Sequence, residues 1–473
     1  MGLQQPSGAA ASVDPARLKS RDTDAFVPGG RPGPSHVTPR RRNARKTIAD
    51  TQSGAGTAYD DGTRRTEVLQ TAASLIASSG LRTSLQEIAD AAGILPGSLY
   101  HHFESKEAIL VELVARYHAD LDRIGEIAHD RLDEPDPRPV SEKIIELGSA
   151  IARCAVQHRA ALQISFYEAP SANRELVELL RQPPTAVQQA MLQTLRAGRW
   201  SGYIRPEIDL PTLADRICQS MLHVGLDVIR HTSAPDQTAA VLCRIMLHGL
   251  ASRPPGDEEL DRSAAFEAAD AAIATWSDGE SETNNKAAYV RAVARAEFGR
   301  KGYEVTTIRD IASAAGLGTG TVYRLIGSKD QLLASIMESF GKKAGGGMAS
   351  VLRADATPVA KLDALSWVNI NALDRFPDEW KIQLAWMRQS PPDTPNPGLA
   401  FIMRLRQLKA LLSAGIRSGD LRIESPSVEM LSRCVMDVLW MPENILRAAG
   451  KRAALSIARD TVIRGVADRG AIN

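Results

Sequence analysis

The chain has 473 residues and a formal net charge of +1 at neutral pH; 44% of the residues are hydrophobic and 24% charged. That is the balance of a soluble globular protein with enough chain for two or three cores, and it excludes nucleic-acid binding through the field of the whole molecule. No apolar run reaches the length of a membrane span and the opening residues carry no apolar signal core, so a cytoplasmic protein is expected.

Residues 1–62 are rich in Gly, Pro, Ser, Thr and Arg, lack sustained periodicity and read as a disordered tail. Within it, residues 31–49 hold Arg31, Arg40, Arg41, Arg42, Arg45 and Lys46 and no acid. Such a stretch suits a solubilising tail or an arm along DNA phosphates equally.

From Arg64 the pattern turns helical: Val68, Ala72, Leu75 and Ile76 share one face before Gly80 ends the run. In "TSLQEIADAAGILPGSLYHHF", Thr83 or Ser84 can cap a short helix, with Gln86 or Glu87 completing a capping box. Gly93 permits a sharp stop and Pro96 opens a second short helix. This is a helix-turn-helix pattern, whose second helix enters the DNA major groove. Gly97 and Ser98 are small enough to let that helix sit deep, and Tyr100 can place a hydroxyl on a phosphate. Lys106 adds positive charge where the next helix starts, and His101 and His102 are candidate groove contacts. Arg64, Arg65, Thr83 and Pro96 complete the DNA-binding candidates of this head, residues 63–110.

Amphipathic runs follow at about 105–130, 140–168, 172–198, 208–231 and 235–250, giving a helical body over 111–250. On one of them His118 and Asp122 stand at metal-ligand spacing, but a lone pair on a charged helix reads as a solvated face. Residues 251–283 begin and end in breakers and acids and read as a linker with a short helix near 261–276. A second head, 284–333, then repeats the first. Residues 306–333 match 83–110 without gaps at eleven of twenty-eight positions. Its DNA-binding candidates are Thr306, Gly318, Thr319, Gly320, Thr321, Tyr323, Arg324 and Lys329. A second helical body, 334–473, has runs at about 328–345, 357–388, 397–418, 425–448 and 450–467. A fainter echo pairs "AGRWSGYIRPE" from Ala197 with "AGIRSGDLRIE" from Ala414, so the duplication covers whole units and has a period too long for a solenoid.

The stretches "AAGILPGSLYHHFESKEAIL" and "AAGLGTGTVYRLIGSKDQLL" resemble the TetR family of bacterial transcriptional repressors. The resemblance implies an all-α fold of two tandem units, each a three-helix head followed by a helical body that binds a small effector and dimerises through its last two helices. Leu95 and Gly318 replace the family's usual Ser before the recognition helix, and Pro96 and Thr319 its usual basic residue. Leu325 and Ile326 of the second copy also depart from His102 and Phe103 of the first. Two unlike readers on one chain predict an asymmetric double-stranded operator bound by an intramolecular pseudo-dimer, with helices 208–250 packed on 425–467. Whether whole chains pair further as homodimers stays open.

By the same resemblance, Phe166, Tyr167, Met191, Met221 and His223 are pocket candidates in the first body. Trp367, Trp380, Trp386, Met403, Met436 and Trp440 are those of the second. An apolar or acyl-type effector suits such linings. Cys154, Cys218, Cys243 and Cys434 are far apart and read as core residues. No nucleophile with its base, phosphate loop, metal cluster or dinucleotide fingerprint is present in the sequence, so neither an enzyme nor a cofactor is expected. The rival to a DNA-binding regulator is a ligand or protein interaction module whose heads no longer bind DNA.

Overall fold

The computed structural model describes residues 55–131, 136–165, 173–231, 234–276, 286–389, 401–422, 425 and 427–470. The basic stretch of the tail lies outside the described residues. Among these residues the regular elements are helical, with two isolated antiparallel bridges, and no helix is long and apolar enough to cross a membrane.

The first head comprises α1 (Ala55–Ser79), α2 (Leu85–Ala91) and α3 (Pro96–His102). Helix α1 starts inside the stretch expected to be tail. The first body comprises α4 (Lys106–Asp130), α5 (Val140–Gln157), α6 (Arg159–Ile164), α7 (Arg174–Arg181), α8 (Thr185–Trp200), α9 (Leu210–His231) and α10 (Pro235–His248). Two expected single helices are each broken in two. The run 140–168 breaks at His158, whose ψ of 40° leaves the helical region. The run 172–198 breaks at Pro183-Pro184, where two successive prolines remove amide donors and force the preceding residues extended.

Residues 251–276, in the stretch expected to be a linker with a short helix near 261–276, hold that helix and pack its apolar side against the second body. They contain α11 (Asp257–Asp261) and α12 (Ala264–Ala274), and Phe266, Ala269 and Trp276 are buried. The Phe266 ring stacks on Trp367 at 5.6 Å, and Trp367 Nε1 donates to Asp270 Oδ1 at 2.6 Å. Apolar residues and Asp270 thus tie α12 into the second body, while Glu267 is exposed.

The second head comprises α13 (Lys286–Lys301), α14 (Ile308–Ala315) and α15 (Thr319–Ile326). The second body comprises α16 (Lys329–Arg353), α17 (Pro358–Arg375), α18 (Pro377–Gln389), α19 (Phe401–Ser418), α20 (Val428–Val438), α21 (Glu443–Ala449) and α22 (Lys451–Ala458), closed by a π-helical turn at Arg459–Arg464. Helix α16 runs past its expected end at 345 through Gly345, Gly346 and Gly347, and close packing accounts for Gly347, where a Cβ would crowd Val368 and Trp276. Pro377 divides the run 357–388 and Pro442 the run 425–448.

The two units meet along α9, α10, α20 and the chain's last turns. Here the contacts are reciprocal. Leu250 N and Ala251 N donate to Val462 O and Ile463 O at 2.8 and 3.0 Å; Val466 N and Ala467 N donate to Met246 O and Leu247 O at 3.1 and 2.8 Å. Each unit's final carbonyls therefore find their donors in the other unit. The chain crosses itself at Gly249 and Gly465, whose φ values are +71° and +77°, and a Cβ on either would collide with the other's backbone. Flanking them, Arg205 N donates to Val466 O and Arg422 N to Leu250 O, so the two stretches of the sequence echo occupy matching places. Arg216 on α9 is 1% exposed and donates to Val438 O, at the end of α20, and to Met441 Sδ. Burial pushes its guanidinium down to about 10, which leaves it cationic at the negative end of that helix.

Candidate DNA-binding heads and ligand cavity

Ser84 caps α2 and closes a capping box: Glu87 N donates to Ser84 Oγ at 3.2 Å, and Ser84 N to Glu87 Oε2 at 2.7 Å. Thr307 and Asp310 repeat this at α14. The Ser84 amide and hydroxyl hold Glu87, and the Thr307 hydroxyl and amide hold Asp310, below the usual carboxylate range. After each capped helix, a glycine at φ +66° (Gly93) or +65° (Gly316) turns the chain into the recognition helix.

One face of each recognition helix is anchored and the other is open. Leu99 and Val322 are fully buried. On α3, Gly97, Ser98, Tyr100 and His101 are exposed, with Pro96 and His102 half-buried. On α15, Thr319, Gly320, Tyr323 and Arg324 are exposed, Thr321 is half-buried, and Gly318 is exposed at the cap. Tyr100 is 56% and Tyr323 55% exposed, so packing between helices does not account for either ring. A Cβ at Gly97 or Gly320 would meet nothing within 4 Å, so internal packing does not require those glycines.

Of the six other DNA-binding candidates, Thr83, Thr306, Lys106 and Lys329 turn inward, while Arg64 and Arg65, 42% and 41% exposed, are engaged by neighbouring residues. Thr83 and Thr306 are 3% and 0% exposed, and their hydroxyls donate to Gly80 O and Gly302 O. Neither can reach DNA. Lys106 Nζ donates to Leu81 O, and Lys329 Nζ donates to Glu304 O at 3.3 Å while lying 4.2 Å from the Tyr303 ring centre. Burial pulls the Lys106 ammonium below its ordinary pKa. These lysines tie the start of α4 and α16 to the loop before the helix-turn-helix. Arg64 Nη2 donates to Ala92 O, and Arg65 pairs with Glu112 and lies over Phe103 at 4.4 Å. Sequence spacing located these positions but could not give the direction in which long side chains bend.

Of the pocket candidates, His223, Trp380, Met436 and Trp440 line one cavity of about 130 Å³. Its walls come from α16 to α20, and Ser220 and His223 of α9 bring the first unit to its edge. The His223 and Trp440 rings lie 4.4 Å apart across that seam. Met191 and Met221 are instead fully buried core, where a Cβ on Gly148 would crowd both Met221 and Cys243. Trp367 is used by Asp270 and Phe266, as above, and Met403 is 57% exposed on the outside of α19. Phe166, Tyr167 and the side chain of Trp386 lie outside the described residues. The sequence reading missed Gln383, Asn369 and Arg404. The signal for Arg404 was its place one turn before Leu408 and two before Leu411 and Leu412, on the inward stripe of α19.

Each body touches its head. Gln163 Nε2 on α6 donates to Ala77 O on α1 at 3.1 Å, and Arg295 on α13 reaches Glu379 on α18 at 3.4 Å. Glu379 is 5% exposed and precedes Trp380 of the cavity wall. All four cysteines are buried thiols, and burial raises Cys154 and Cys243 to about 12. They are inert core residues at neutral pH.

The sequence pattern of bacterial regulatory proteins of the tetR family matches twice, at residues 68–113 and 290–336. The HTH-type transcriptional repressor KstR2 of Rhodococcus jostii is 34% identical over 193 residues, covering 40% of this chain and 92% of the relative. KstR2 of Mycobacterium tuberculosis is 34% identical over 149 residues, covering 31% of this chain and 72% of the relative. The solved structure of the ketosteroid transcriptional regulator KstR2 of Mycobacterium tuberculosis is 26% identical, with a TM-score of 0.31, covering 37% of this chain and 89% of that one. The chain belongs to the TetR family of bacterial regulatory proteins and carries two units of that family in tandem.

Proposed function

We propose that the chain is a DNA-binding transcriptional repressor, that one chain docks both heads as an intramolecular pseudo-dimer, and that a small apolar or acyl-type effector releases it. The observation that carries the reading is the matched pair of open recognition faces, with an exposed tyrosine and an unneeded glycine at the same place in each head. A helix with such a face can approach a groove closely and place a hydroxyl on a phosphate. His101 on one face and Arg324 on the other offer different groups to base edges, so the operator has unlike halves. The reciprocal seam supports the pseudo-dimer, since an isologous contact is what two protomers of a family dimer would make. Here the covalent link replaces association in solution by a high effective concentration. The path from cavity wall through Glu379 to Arg295 of the second head supports effector release, in which a ligand favouring one body conformation lowers the DNA-competent fraction.

Footprinting and gel shift with the full chain, together with the mass of the complex in solution, test this. One chain is expected per site, on an asymmetric footprint. Palindromes built from either half should bind about tenfold or more weakly, at ~1–3 kcal/mol per wrong base pair. A single palindromic site filled by two chains would remove the pseudo-dimer. DNA binding indifferent to Tyr100→Ala combined with Tyr323→Ala, and without salt dependence, would favour the interaction module.

A further inference from the structure

The cavity in the second body is walled mainly by apolar and aromatic side chains, among them Leu384, Leu408, Met436, Trp380 and Trp440. Set into that wall are four polar atoms with no hydrogen-bond partner among the described residues: Trp380 Nε1, Trp440 Nε1, Gln383 Oε1 and Arg404 Nη2. Gln383 is 1% exposed. Burial shifts Arg404 down to about 10, and among the described residues its buried Nη2 meets no hydrogen-bond acceptor, although the Asp437 carboxylate lines the same cavity. Buried charges are ordinarily paired, and orphaned buried donors ordinarily find an acceptor. The three unmet donors belong to a cation and two indoles, and an indole N–H can only donate.

A ligand that completes this wall must therefore be acceptor-rich and anionic at one end and apolar over the rest. A guanidinium fork matches a carboxylate in shape as well as in charge. We infer that the cavity binds an apolar molecule carrying a carboxylate, with Arg404 as its ion partner and the Trp380 and Trp440 indoles as donors, and that His223 closes the site from the first unit. Gln383 supplies an acceptor for a hydroxyl or amide on the ligand. Because α9 and α18 both touch the ligand, one molecule per chain meets both units. The inference rests on effector control for its regulatory consequence alone; binding is separate.

The test uses the full chain and titration calorimetry with octanoate, decanoate and naphthylacetate, each against the alcohol of the same skeleton. The acids that bind are expected to do so about tenfold or more tightly than their alcohols, the worth of one shielded charge-assisted pair. Arg404→Met should erase the acid preference and leave alcohol binding within about twofold of wild type. His223→Ala should weaken acid binding although its helix belongs to the other unit. Alcohols binding as tightly as acids, no acid binding, or an acid preference that survives Arg404→Met would each overturn the inference. Should Arg404→Met fail to fold, Arg404→Gln and the wild-type acid and alcohol pairs decide it. DNA affinity measured in the same samples separates the two claims. Arg404-dependent acid binding that leaves the DNA complex intact removes effector release and keeps the site; release by alcohols as readily as by acids removes the site and keeps release.

Discussion

The ammonium groups of Lys106 and Lys329 each reach a carbonyl 25 residues upstream, Leu81 O in the first head and Glu304 O in the second. A lysine held in this way fixes the angle between the helix-turn-helix and the body's first helix. Lys106→Met keeps the apolar stem but orphans the Leu81 carbonyl, which should cost about 1 kcal/mol in denaturant unfolding. The slope of log affinity against log salt should change little. Arg324→Ala, which removes an exposed charge from a recognition helix, should leave stability within about 0.5 kcal/mol and lower that slope by about one. The opposite ordering would return Lys106 to the phosphate backbone. At this scale the sequence was legible where backbone geometry decides: Ser84, Gly93 and Pro96 act as their types and spacing require. It was not legible for Thr83, Arg64, Arg65 or the lysines, whose roles depend on carbonyls brought near only by folding.

Helix α12 shows the same limit for an element. Its acids and the breakers around it read as a spacer, yet Ala265, Phe266, Ala269 and Trp276 form an apolar stripe that the second body covers. The stripe is short and alanine-rich, so its periodicity is faint without the partner surface of Trp367 and Val368. Phe266→Ala should therefore cost ~3 kcal/mol or more in equilibrium unfolding, the range for emptying an aromatic site in a core. A tether would tolerate the change within about 0.5 kcal/mol. The body helices were legible as apolar runs, but their breaks were not all so. Prolines at 183, 184, 377 and 442 mark three of them in the sequence, while His158 breaks α5 from α6 without any composition signal.

For the whole molecule, the family likeness pointed to helices 208–250 packing on 425–467 but gave no account of the backbone crossing between the two units. The crossing joins "HGLA" at 248–251 to "RGVA" at 464–467, too short a likeness to stand out in the sequence. Gly249 has φ 71° and ψ 170°, and Gly465 φ 77° and ψ 153°, a region essentially closed to other residues. Either Gly→Ala change should cost at least ~2 kcal/mol, combining backbone strain with collision against the crossing backbone. The collision is shared, because each added Cβ pushes apart the same two backbones. Once the first alanine has opened the crossing, the second pays only its own backbone strain. The double variant should then be destabilised by less than the sum of the singles, with a coupling of ~1 kcal/mol in a double-mutant cycle. Strict additivity would mean that the two glycines serve their own helix ends separately. The units would then be joined mainly by the Arg216 contact to Val438 and the packing of α9 and α10 on α20.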